Sequence, residues 1–372
     1  MTNLFLFGTL MDDALRAIVT GGRFDGTEAF LTDHCVRRAA DGDFPVLAAG
    51  GSASGLLLRD LPEGVLKRLH FYEQGFGYVV DHCEVETPEG RTQAMVYRPG
   101  TPAAPSDDEW SLADWQRDWA AMTRFAAQEA MALFGKLDGE ELRGAMPMIR
   151  VRADGRVRAA ACPAPVSLRH RHTRDDVQVI NARRPYTNYF ALAETDLTHT
   201  RFDGGRSEVL NRAGLISGDA VTVLPYDPVR DRVLLVEQFR YGPFMRGDPM
   251  PWSLEPVAGR IDPGESPEAC ARRETVEEAG LTLHRLLHVA NSYPSPGAVS
   301  EYLFSYVGLC DLPDLSEGRG GLDSEGEDIR THVISFATLM DLVDSGEADD
   351  TPLLMTVFWL QRQRERGAFA PA

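Results

Sequence analysis

Cysteine is scarce in this chain of 372 residues: Cys35, Cys83, Cys162, Cys270 and Cys310 are scattered and odd in number. No Cys-x-x-Cys occurs, so neither a zinc site nor a disulfide framework is indicated. Positive charge is also short. Lys and Arg number 38 against 56 Asp and Glu, for a net charge of -18 and a pI near 4.9. A general nucleic-acid binder draws its affinity from phosphate neutralisation by Lys and Arg, so that class is disfavoured. A small phosphorylated ligand held by local Arg and a metal is not. Long apolar runs are missing, as is a basic-then-apolar start, and the expectation is a soluble cytoplasmic protein with no membrane partner. No internal repeat or low-complexity tract is present.

What remains is enough apolar residue, 43%, for two domains. Residues 1–103 read as β-rich with short helices. Asn3 to Phe7 is an apolar run ending at Gly8, and Glu84 to Tyr97 reads as a hairpin turning at Pro88-Glu-Gly. Thr101-Pro-Ala-Ala-Pro105 opens a linker region, 104–174. Within it Ser111 to Phe134 has helical periodicity, with Trp115, Trp119, Met122 and Ala126 on one stripe that suits packing against a domain. Met148 to Ala161 reads as a hairpin turning at Asp154-Gly155. From 175 to 372 the pattern is strands, an acidic helix, strands and a terminal helix. Ala220 to Leu224 and Arg232 to Glu237 are apolar strands around Asp227-Pro228.

The most informative stretch is Gly259 to Leu281. Its skeleton is Gly259, Glu265, Arg273-Glu274, Glu277-Glu278 and Gly280-Leu281. Chance recurrence of such a skeleton is on the order of 10⁻⁶. Ser266 reads as an N-cap, Pro267 as the first helical residue and Gly280 as a left-handed stop. Glu274 and Glu278 stand one turn apart on one face, with Glu277 beside them. Such like charges repel unless a cation lies between them, and Mg²⁺ prefers carboxylate oxygens. Arg273 and Glu265 are placed to form an ion pair. The alternative is a solvated acidic helix face, which leaves the glycines, Arg273 and Glu265 in register without a reason.

This skeleton resembles the Nudix box, the metal-binding loop–helix–loop of enzymes that hydrolyse nucleoside diphosphates linked to another moiety. The resemblance extends through Leu254 to Gly259, through Tyr293 to Glu301 with Pro296 fifteen residues after Leu281, and through Glu325 to Arg330. Those flanks look like the ADP-ribose pyrophosphatase branch. GDP-mannose pyrophosphatases carry similar segments, so both branches stand open, as does a nucleotide-sugar sensor that does not hydrolyse. Thr275 departs from the usual aliphatic. The implied fold is an α/β/α sandwich with a mixed sheet. The implied metal ligands, for Mg²⁺ or Mn²⁺, are Glu274, Glu278, Glu327 and the carbonyl of Ala258, with Glu277 part of the catalytic helix. Glu325 is implied to position or deprotonate water. Arg212, Arg240, Glu255 and Glu301 are implied substrate contacts, and the family also implies a homodimer.

At the other end, Leu4-Phe-Leu-Phe7-Gly8-Thr9-Leu10-Met11 resembles the opening of γ-glutamylcyclotransferase-like β-barrel domains, and Leu69 to Gly75 with Tyr78 resembles the stretch bearing their catalytic Glu. The resemblance implies that Gly8, Thr9 and Leu10 meet a substrate carboxylate and that Glu73 acts as acid and base. Phe7 replaces the usual Tyr and removes a hydroxyl. Two readings follow for this domain: a cyclotransferase-like activity, or a ligand-binding, regulatory module. The whole is expected to be an α+β, two-domain protein, and the pairing resembles tellurite-resistance proteins, a phenotypic label that implies no tellurium chemistry.

Overall fold

A computed structural model describes residues 2–312, 318–321 and 326–369. The chain divides into two compact units, Met1–Arg169 with Thr187–Tyr189, and His170–Tyr186 with Phe190–Ala372.

The first unit begins with β1 (Thr2–Leu6), a short 3-10 turn (Thr9–Met11), α1 (Asp13–Thr20), β2 (Thr27–Ala39), β3 (Pro45–Leu61), α2 (Glu63–Gln74), β4 (Tyr78–Thr87), β5 (Gly90–Pro99) and β6 (Pro105–Glu109). The strands run in the order β3-β1-β5-β4-β2, and β2 pairs back onto β3, which closes a five-stranded barrel; β6 adds to β2. The pleat sorts the apolar residues. Phe5 and Phe7 point into the barrel with Ala29, Leu31, Leu57, Val85 and Val96, whereas Leu4 and Leu6 meet the helices outside. The expected hairpin is present, with β4 and β5 joined through Pro88 and Glu89.

Three further helices join α1 and α2 outside the barrel and come from the expected linker region. They are α3 (Leu112–Asp118), α4 (Ala120–Met131) and α5 (Gly139–Ala161). Trp115, Met122 and Ala126 join the main apolar cluster, as the stripe suggested. The hairpin expected over Met148 to Ala161 is instead the second half of α5. Asp154-Gly155 is a turn signal only locally; packing overrides it. Leu142, Ala145, Met146, Ile149 and Ala153 all enter the core. Arg152, 2% exposed, is paired at 2.7 Å with the buried Glu129 of α4. Burying that face stabilises the helix by more than the glycine costs, about 1 kcal/mol.

The second unit contains a three-stranded sheet, β7 (Val177–Thr187), β8 (Ala191–His199) and β9 (Leu210–Ile216). Its main sheet is built from β10 (Ala220–Asp227), β11 (Arg232–Phe239), β12 (Trp252–Glu255), β13 (Val257–Arg260), β14 (Arg285–Ser292), β15 (Leu303–Leu309), β16 (Gly318–Gly320) and β17 (Ile329–Ser335), with helices α6 (Tyr241–Arg246), α7 (Pro267–Ala279), α8 (Phe336–Ser345) and α9 (Thr351–Glu365). The order is β14-β15-β10-β11-β17-β16, with β12 on β11 and β13 on β10. β10 and β15 are parallel and the other pairs antiparallel, so the sheet is mixed. Leu234 and Val236 pack under α7, while Val233 and Leu235 pack under α8 and α9. One strand therefore feeds two cores, as an α/β/α sandwich requires. Among the described residues no helix is long and apolar enough to cross a membrane.

Candidate active site

The acidic helix α7 forms as its sequence dictates. Ser266 accepts the Ala269 amide, Pro267 opens the helix and Gly280 closes it in the left-handed region at φ 64°. The helix is held against β13 by Arg273. Its guanidinium donates to both oxygens of Glu265 at 3.0 Å and to the Arg260 carbonyl at 3.1 Å. The same group reaches Glu274 at 2.7 Å and Glu277 at 3.0 Å. Those ion pairs hold the guanidinium proton still more tightly than usual.

Gly259 explains itself here. A Cβ at that position would overlap the Glu274 carboxyl, so only glycine lets β13 pass under it. Glu278 is 2% exposed and accepts the Ala258 amide at 3.3 Å. Burial raises its carboxyl to about 8, with further lift from the charges of Glu274 and Glu327; Ala258 and Arg240 pull the other way. Glu278 thus bonds to Ala258 and feels the charges of Glu274 and Glu327, while Glu274 and Glu277 share the Arg273 guanidinium. Glu325 lies outside the described residues.

Among the described residues no three His, Cys, Asp or Glu side chains stand together in a ready-made metal cage. The donor set still fits a hard dication. Its groups are carboxylates, one of them raised by burial and then by its acidic neighbours, and Mg²⁺ is usually held by one or two carboxylates with water and substrate phosphate completing its shell.

The remaining expected contacts separate. Arg240 and Glu255 are paired with each other, at 2.8 and 2.6 Å in a two-pronged bridge. Asp350, which caps α9, shares their field; burial and Glu255 raise it to about 6. Nothing in the sequence around Asp350 marked it beyond its N-cap position. Glu301 sits near Ser217 at 3.4 Å, and burial raises its carboxyl. Arg212 is on exposed β9, its guanidinium on the Asn211 carbonyl at 2.8 Å. Sequence reasoning also missed the glycine segment of β16. A Cβ at Gly320 would overlap the Glu278 carbonyl, and the Gly321 amide donates to the Glu277 carbonyl at 3.3 Å. Both contacts are long-range and leave no local signature.

The first unit holds a cavity of about 880 Å³. Gly8, Thr9 and Leu10 line it together with Glu73, from the last turn of α2. A Cβ at Gly8 would press on Pro45 at 2.6 Å, so the strand end needs glycine for that close approach. Burial alone raises Glu73 to about 8. Tyr78 and Tyr97 share the cavity, and both phenols are raised by burial and by Glu73. Tyr97 Oη lies 2.8 Å from His70 Nδ1. Trp115 and Trp119 form part of the wall, so the stripe both packs and lines. Arg143 and Arg150 of α5 complete it and were not singled out by the sequence, since lone arginines carry no pattern.

Comparison with known proteins agrees with this division. The NUDIX domain family matches residues 217–356, and the family described as gamma-glutamyl cyclotransferase, AIG2-like, matches 4–117. ADP-ribose pyrophosphatase of Escherichia coli (strain K12) is 39% identical over 188 residues, covering 50% of this chain and 89% of the relative. The enzyme of that name from Haemophilus influenzae is 35% identical, over 51% of this chain and 88% of its own length. GDP-mannose pyrophosphatase of Enterobacter sp. (strain 638) is 29% identical, over 50% and 95% respectively. With the box helix, its arginine anchor and these relatives in agreement, the chain belongs to the Nudix hydrolase family and carries a gamma-glutamyl cyclotransferase, AIG2-like domain ahead of its hydrolase domain.

Proposed function

We propose that the protein hydrolyses the diphosphate of ADP-ribose to AMP and ribose 5-phosphate in a Mg²⁺-dependent reaction, with Mn²⁺ as the alternative cation. The observation that carries this reading is the acidic helix pinned by Arg273 on Glu265, with Glu278 buried on the Ala258 amide and Gly259 leaving room for the Glu274 carboxyl. The relatives of higher identity are named for ADP-ribose, which favours it over GDP-mannose.

The chemistry adds water across the P–O–P bridge. One phosphorus gains the water oxygen and the bridging oxygen leaves with the other. Glu274, Glu278, Glu327 and the Ala258 carbonyl would hold a dication, which would neutralise phosphate charge and make a bound water more acidic. Glu278 must give up its proton to serve as a ligand. Arg273 fixes Glu274 and Glu277 on the helix. Glu325 is assigned the attacking water by resemblance. Arg240 and Glu255 form a rigid bridge, and the half-exposed guanidinium offers donors to the substrate. Glu301 and Arg212 are assigned further substrate contacts, Arg212 across a homodimer interface.

The test is product analysis with purified protein and Mg²⁺, offering ADP-ribose and GDP-mannose separately, beside Glu278→Gln. AMP release that the variant loses supports the proposal. Faster turnover of GDP-mannose moves the enzyme to that branch, and tight binding of both without turnover makes it a sensor.

For the first unit, Glu73 supports two readings, a cyclotransferase-like acid and base or a ligand-binding module. Turnover of a γ-glutamyl amide that Glu73→Gln abolishes selects the former.

A further inference from the structure

Arg143 and Arg150 stand seven residues apart on α5, two turns and about 10 Å along one helix face. Both line the cavity of the first unit. Among the described residues neither has a carboxylate within ion-pair distance, in a chain whose acids outnumber its bases by 56 to 38. Other arginines are committed: Arg38 of the cavity rim pairs with Asp43 and Asp108, and Arg152 on the same helix pairs with Glu129. The Arg143 guanidinium lies over Gly77, where a Cβ would meet its central carbon at 3.2 Å. Arg150 is half-buried, close enough to Tyr72 to act on its phenol. Arg143 is exposed, but the half-buried Arg150 guanidinium without a counter-charge is unfavourable, and an anionic ligand removes that cost.

The charges around them suit an incoming anion. Glu73 keeps its proton to about 8, so at neutral pH it neither neutralises the pair nor repels an anion. Asp43 is occupied by Arg38 and by the Trp119 indole N–H at 3.0 Å. A cavity of about 880 Å³ takes a small organic molecule with room to spare. The pair also lies outside residues 4–117, the span matched to the cyclotransferase-like family.

We propose that Arg143 and Arg150 form an anion subsite of the first unit's cavity, so that its ligand is a small organic acid bearing a carboxylate or phosphate on those two guanidinium groups. This rests on the reading of the first unit as a ligand-binding or cyclotransferase-like domain.

The test is calorimetric titration of the full chain in EDTA with three probes: γ-glutamylalanine, its C-terminal amide, and phenyl phosphate. The proteins are the wild type, Arg143→Gln/Arg150→Gln, and Arg143→Gln alone, with Mg²⁺-dependent turnover as the folding check. The expected result is that an acidic probe binds the wild type at least tenfold more tightly than the double variant, while the amide binds both alike. If the double variant fails to fold, a several-fold loss in Arg143→Gln alone carries the proposal. Arginine-dependent binding of phenyl phosphate, with no binding of the dipeptide, sinks the cyclotransferase-like ligand but keeps the subsite. Equal binding of dipeptide and amide, unchanged in the variants, keeps that ligand and overturns the subsite. Binding of none of the probes also overturns it.

Discussion

Glu278 and Glu73 are two carboxyls raised to the same value, about 8, in the two units of one chain. Their environments differ. Glu278 is raised by burial and also by Glu274 and Glu327, and it accepts the Ala258 amide. Glu73 is raised by burial alone, among tyrosines. The first is a surplus of negative charge, which a cation relieves. The second is an acid raised by burial with no neighbouring charge adding to it, relieved by holding its proton. The same departure from 4.5 therefore points to metal chemistry in one unit and to proton transfer or hydrogen bonding in the other.

The largest effect that tests this contrast is on turnover. Glu278→Gln removes a charged ligand oxygen and is expected to lower diphosphate hydrolysis by about 10³-fold or more. Glu73→Gln is expected to leave it unchanged, so a comparable loss in that variant would end the contrast. Next comes Gly259→Ala. The added Cβ overlaps the Glu274 carboxyl, and the helix is pinned by Arg273, so the carboxyl has to leave its place. A loss of about 10²-fold in kcat, together with a higher Mg²⁺ requirement, is the expected kinetic signature.

A smaller effect is the linkage of protons to Mg²⁺. Glu278 must lose its proton before it can act as a ligand, and it holds that proton up to about 8. Apparent Mg²⁺ affinity should rise with pH up to about 8 and then level, by up to roughly tenfold per pH unit below that point. Titration calorimetry at several pH values measures this directly. A flat profile would mean that Glu278 is already ionised without metal.

How much of this was legible beforehand follows from the range of each interaction. The box helix was readable because its cap, first-turn proline, stop and acidic face are local, and the Arg273–Glu265 bridge spans eight residues. The strand at Asn3 to Phe7 and the Glu84 to Tyr97 hairpin were readable for the same reason. Over Met148 to Ala161 a local turn signal lost to the packing of Ile149 and Ala153 and to the buried Arg152–Glu129 pair. Arg240 and Glu255 were each assigned to substrate, but fifteen residues apart they fold into one bridge, which pairwise geometry alone decides. The contact of Gly320 with the end of α7 and the convergence of Arg143 and Arg150 on one cavity are tertiary facts with no period or motif behind them.

The smallest effect is on stability, and its sign is fixed by linkage. Glu73 has a folded value of about 8 against an ordinary 4.5. Between those values the unfolded chain has released the proton and the folded chain still holds it. Stability from the neutral acid is thus complete below about 4.5 and is lost as pH rises through 8. Glutamine keeps the shape and cannot ionise. Glu73→Gln should therefore match the wild type in Tm near pH 5 and exceed it by a few degrees at pH 8, a modest shift because the residue faces a cavity and is half-exposed overall. Groups common to both proteins cancel in the difference, including Glu278. A difference that stays flat from pH 5 to pH 8 would show Glu73 ionising normally, and the Glu73 half of the contrast would fall.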